Sequence, residues 1–170
     1  MGNNPIVQFI LQPILIFGVV FHFVMGFILQ IKNSRSRSVK YVSFKGSANA
    51  SWVSRNMIIT GIVVLSFLGL HFYDFWIPEM KYKYVEILPL DPDRYYGELV
   101  HKFHNPVRVG IYVLSFAFLA LHLYHGFASS FQSVGLNNKY TRGMKLFTVA
   151  FSVVIPVGFI FVAIFHHLNG

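Results

Sequence analysis

An all-α bundle of four transmembrane helices is the fold that this sequence predicts, and three observations predict it. Hydrophobic residues fill 55% of the 170 positions and charged residues only 12%, about half the charged share usual in soluble domains. Four stretches are apolar over the ~20 residues that a helix needs to cross ~30 Å of hydrocarbon. The charges gather between those stretches and not within them. A soluble bundle is excluded because each of its helices would need a polar face toward water, and no stretch here has one of that width.

The predicted spans are Gln8–Ile31, Met57–Ile77, Val109–Phe131 and Leu146–Leu168, forming one transmembrane domain over residues 1–170. None holds Lys, Arg or Glu, and Asp74, near the end of the second, is the sole acid. The first span follows a start without the basic segment of a signal peptide, and its apolar run is too long for one. Pro13 and Pro156 fall inside the first and fourth spans, where proline removes a helix hydrogen bond. No cysteine is present, so disulfides, iron–sulfur clusters and thiolate zinc sites within this chain are excluded.

The basic residues orient the spans. Lys32, Arg35, Arg37, Lys40, Lys45 and Arg55 lie in the first loop, and Lys139, Arg142 and Lys145 in the third, with no acid in either. The long second loop holds five basic residues and, with Asp74 at its edge, every acid of the chain. Cytoplasmic loops carry the excess of Lys and Arg, so residues 32–56 and 132–145 are expected in the cytoplasm and the second loop outside. Within that outer loop "GELVHKFHNP" reads as a short helix ending before Pro106. Trp52 and Trp76 fall near span ends, where amphipathic rings prefer to sit.

Eight histidines divide into two groups. His101, His104, His166 and His167 fall in the outer loop or at a span end and read as solvated residues. His22, His71, His122 and His125 lie inside spans, where an ionisable group is costly and faces a bundle interior, a cavity or a cofactor. "HFVMG" and "HLYHG" place Gly26 and Gly126 four residues after His22 and His122. That is about one helical turn, so each glycine lies beside its histidine on one face. Such a patch admits a flat macrocycle or a neighbouring helix, and small-residue helix packing explains the glycines but not the histidines.

Depth pairs His22 with His122. Both lie roughly 20 Å below the outer face at ~1.5 Å per residue, whereas His71 lies roughly 9 Å below it. Two imidazoles at one depth suit the two axial positions of one haem iron, an arrangement for electron transfer. His71 is too shallow to share that iron and reads as half of a second, outer site. His125 competes with His122 as the ligand; the glycine spacing and the depth match favour His122. Asp74, outward of His71, reads first as a cap at the interface and second as a proton-handling group.

Together "HFVMGF", "LGLHFYDFW", "NPVRVGIYVLSFAFLALHLYHGFASSFQSVG" and the basic first loop resemble the membrane-anchor cytochrome b subunit of succinate:quinone oxidoreductases, in the five-helix, di-haem b558 form. The likeness runs over essentially the whole chain. It implies an inner haem b ligated by His22 and His122, and an outer haem with His71 as one ligand. The family's first helix, which supplies the other outer ligand, has no counterpart here. "MGNNPIVQFILQP" resembles the connection into the family's second helix, so a separate or missing first helix is expected.

The resemblance further implies a place in complex II of a respiratory chain, in a bacterial cytoplasmic membrane. Partner flavoprotein and iron–sulfur subunits would sit against the cytoplasmic loops, with electrons passing through haem to a quinone, menaquinone by likeness. The complex would run as succinate dehydrogenase or fumarate reductase, and this chain would do no succinate chemistry itself. Two other classes compete on the residues alone. One is a haem-free membrane anchor or transporter with structural histidines, although a proton-relay transporter would carry more intramembrane carboxylates. The other is a metal-dependent membrane oxidase, which would need clustered histidines at one membrane face.

Overall fold

In a computed structural model, which describes residues 4–36, 55–89, 91, 93–135 and 141–170, the chain is helical with no strand among those residues. Four helices are long and apolar enough to span a membrane: α1 (Val7–Arg35), α2 (Met57–Val85), α4 (Pro106–Ser133) and α5 (Thr141–Asn169). A shorter α3 (Arg94–Phe103) lies between α2 and α4. The protein is a multi-pass helical membrane protein, as the hydropathy predicts. Residues 37–54 of the first basic loop, Trp52 among them, and residues 136–140 of the third lie outside the described residues.

Contacts divide the chain into two compact units, Met1–Ala50 and Ser51–Gly170. Among the described residues, the first is essentially α1. None of its side chains is buried, and Ile14, Leu15, Phe17 and Phe21 stand exposed. A helix apolar on every side is at home in lipid.

In the second unit α4 is the central helix, packed along α5 and along α2. Its start is well specified: the Asn105 side chain accepts hydrogen bonds from the N–H groups of Val107 and Arg108 at 2.9 and 3.2 Å. Pro106 follows in the first turn, where its missing donor costs nothing. Cross-helix pairs show that α2 and α4 run antiparallel: Thr60 meets His122, Phe67 meets Phe116 and Asp74 meets Tyr112. Phe116 against Phe159 and Phe127 against Phe151 give the same sense for α4 and α5. The apolar core is Phe67, Phe103, Val109, Tyr112, Phe116 and Ala163. Thr60, Ser115, Thr148 and Ser152 are buried among the helices, as expected where lipid offers no hydrophobic drive and small or hydroxylated residues let helices approach.

Helix α2 outruns its predicted end at Ile77 and reaches Val85. Its ladder widens to π-helical turns over Phe72–Trp76 and Lys81–Val85. Pro78 falls just after the first of these, where the change of hydrogen-bond register absorbs its missing donor and the helix continues. The extension is held by charge. Glu79 accepts from Lys83 at 2.5 Å, from the Tyr95 hydroxyl at 2.7 Å and from Arg94. Arg94 also binds Glu98 at 2.6 Å and lies 4.0 Å over the Tyr82 ring. Burial, followed by the bond to Glu79, pushes the Tyr95 hydroxyl above its usual pKa.

This knot ties α3 to the end of α2, and it gives a first prediction. Arg94→Ala removes a charged hydrogen-bond partner that is mostly buried, at a cost of about 1.5–3 kcal/mol. Cleavage of the 86–93 segment by added protease should quicken while the spans stay intact. Unchanged cleavage would show that α3 is held by its apolar face alone.

The expected outer-loop helix is α3, which begins three residues before Gly97 and ends ahead of Asn105. Two of the histidines read as solvated are instead engaged there. The His167 ring hydrogen-bonds the Phe103 carbonyl through Nδ1 at 2.8 Å, and His166 packs edge-on against Tyr96. They dock the end of α5 onto α3.

Candidate functional site

Within the second unit the intramembrane histidines occupy two levels. His122 projects from α4 toward α2 and lies level with Thr60 and Gly61. His71 lies ten residues further along α2 than Gly61, a separation of roughly 15 Å at ~1.5 Å per residue. His71 and His122 therefore cannot ligate one iron from opposite sides, as the depth argument expects.

At the inner level, Nδ1 of His122 lies 3.1 Å from the Thr60 hydroxyl. That hydroxyl donates its only proton to the Met57 carbonyl at 2.8 Å. With that proton on the Met57 carbonyl, the hydroxyl would accept from the imidazole, which would then carry its hydrogen on Nδ1 and its lone pair on Nε2. An outer hydrogen bond of this kind is how proteins fix the tautomer and orientation of a metal-binding histidine. Gly61 completes the seat: a methyl group built there would come within 3.3 Å of the His122 ring. Sequence reading missed both residues. A hydroxyl beside a glycine is visible in the sequence, but that the pair faces His122 is set by the register of α2 against α4.

The neighbouring His125 is placed differently. Its Nε2 lies 3.1 Å from the Ser129 hydroxyl, one turn along its own helix. Added methyl groups at Gly26 and Gly126 meet nothing within 4 Å. The backbone at each of these glycines is therefore open to approach. Gly18, Gly69 and Gly110 are open in the same way, so the openness permits a bound group and does not select one. His22 and Gly26 belong to α1 and hence to the other unit.

At the outer level, His71 is at the mouth of an apolar cavity of about 440 Å³, within the size range of small-molecule and cofactor sites. Its ring lies 5.9 Å from Phe67 and 5.3 Å from Phe75, and Tyr112, Phe116 and Phe159 extend the wall. Asp74 follows in the π-helical turn, which carries its carboxylate to complete burial at 0% exposure. It is therefore no interfacial cap, the role that its position near a span end first suggests. Its Oδ2 accepts from the Tyr112 hydroxyl at 3.0 Å and lies 3.4 Å from Nε of Arg108. Its Oδ1 is 3.8 Å from the Lys102 ammonium and accepts no hydrogen bond. Two cations from α3 and α4 thus hold a buried anion beside the cavity.

Among the described residues no three of His, Cys, Asp and Glu converge as a side-chain metal cage requires. What these histidines could offer a metal is a single imidazole at each level. That donor set suits an iron whose equatorial ligands come from a macrocycle. The chain matches no family model, no curated protein and no solved structure.

The inner seat yields a second prediction. Thr60→Val keeps the shape and removes the acceptor, freeing His122 to exchange tautomers; Thr60→Ser keeps it fixed. In nitrogen NMR of histidine-labelled protein, the His122 Nδ1–H signature should be lost in the valine variant and kept in the serine variant. Retention in both would assign the tautomer to another contact.

Proposed function

We propose that this chain is the cytochrome b membrane anchor of a bacterial respiratory complex II. The observation that carries the reading is the pair of single imidazoles on two levels, one in contact with Thr60 through Nδ1, the other lining an apolar cavity. By the resemblance, His22 and His122 would hold an inner haem b. His71 would supply one ligand to an outer haem, whose second ligand comes from outside this chain's spans. Haem b with two imidazole ligands supplies reversible one-electron transfer.

The chain's own residues do the rest. Thr60 and Gly61 orient His122, and aromatic side chains line the cavity beside His71. The flavoprotein and iron–sulfur subunits dock on the cytoplasmic side, where loops 32–56 and 132–145 present nine basic residues and no acid. Electrons arriving there leave to a quinone, menaquinone by resemblance.

The test is a haem count by pyridine haemochromogen on the intact complex. The reading expects one haem b per copy of this chain at the inner site, lost in His122→Ala, with any second haem lost in His71→Ala. No haem at all would favour the haem-free anchor or transporter, with histidines satisfied as His125 is by Ser129.

A further inference from the structure

The cytoplasmic end of the second unit holds a cleft that the haem reading leaves unused. It lies between the end of α4 and the start of α5 and measures about 700 Å³. Phe131, Met144 and Val149 make an apolar wall, and Gln132, Thr141 and Lys145 make a polar rim. Val149 is 47% exposed, so the apolar wall continues onto the surface that faces lipid. Arg142 and Lys145 open α5, and no acid accompanies them in that turn. A helix start already carries partial positive charge, so cations there are unfavourable unless an anion sits among them.

A complementary ligand has an anionic head and a long apolar tail, and the adjoining leaflet is made of such molecules. Basic pockets between transmembrane helices on the cytoplasmic side are established sites for anionic lipid headgroups. We infer that this cleft holds an anionic phospholipid of the cytoplasmic leaflet, its phosphate at Lys145 and an acyl chain along Met144 and Val149. The inference goes beyond the haem reading and stands without it. The lipid would brace the two helices at the end where the partner subunits are expected.

The test uses the intact protein, with any subunits that accompany it, in phosphatidylcholine bilayers. A trace of photoactivatable phosphatidylglycerol is added to one sample and photoactivatable phosphatidylcholine to another. Phosphatidylglycerol should label the ends of α4 and α5 in clear excess. Lys145→Ala should lower that excess about fivefold, and Lys81→Ala, at the opposite end, should leave it unchanged. Val149→Trp, which fills the apolar wall, should lower labelling by both probes. Free glycerol phosphate should not compete. Equal labelling by the two lipids, an excess insensitive to Lys145→Ala, or full competition by glycerol phosphate would overturn the assignment. So would an unlabelled cleft whose Lys145 cross-links to a carboxylate of another subunit, which would make it a protein contact.

Discussion

His122→Ala is expected to strip the inner haem from the protein while leaving the chain inserted and folded, and His125→Ala to leave that haem in place. The two histidines are three residues apart on one helix, so composition and depth barely separate them. Their surroundings do. His122 leans on the facing helix with Nδ1 at the Thr60 hydroxyl and its ring in the notch over Gly61. His125 finds its polar partner, Ser129, on its own helix. If His122 is the ligand, its removal should lower haem occupancy at the inner site to near zero, while His125, turned to Ser129, would not take its place. The measurement is the haem-to-protein ratio of each purified variant beside its circular dichroism. Loss of the inner haem in His125→Ala alone would reverse the assignment.

Asp74→Ala is expected to destabilise the second unit by about 3–5 kcal/mol, the usual result of removing one partner of a buried ion pair. Arg108 and Lys102 would face a site with no anion, and the Tyr112 hydroxyl would lose its acceptor. Asp74→Asn should fall between the two, since its carbonyl still accepts from Tyr112 while the charge is gone. Thermal unfolding in detergent should rank wild type above asparagine above alanine. Equal midpoints would mean that the cluster is hydrated and energetically minor.

The spans were legible because hydropathy alone decides what can cross a membrane, and all four predicted segments lie inside observed helices. The end of α2 was not. Pro78 and the first charges after it look like a stop, but the π-helical turn at Phe72–Trp76 absorbs the proline and Glu79 gathers the cations. The same turn explains why Asp74 was misread. A straight helix near a span end suggests an interfacial cap, whereas the widened turn rotates the carboxylate inward. The separation of His71 from His122 could be read from position along the helices. The Thr60–Gly61 seat could not, because it depends on the register of α2 against α4, which no local pattern encodes.

The central claim is that this chain holds haem through paired imidazoles. The measurement that addresses it most directly is a reduced-minus-oxidised difference spectrum of the purified protein, recorded with and without carbon monoxide. Two axial imidazoles leave no open position on the iron. A b-type α-band that carbon monoxide does not alter is the predicted result. Absence of the band, or a band that carbon monoxide shifts, would contradict it.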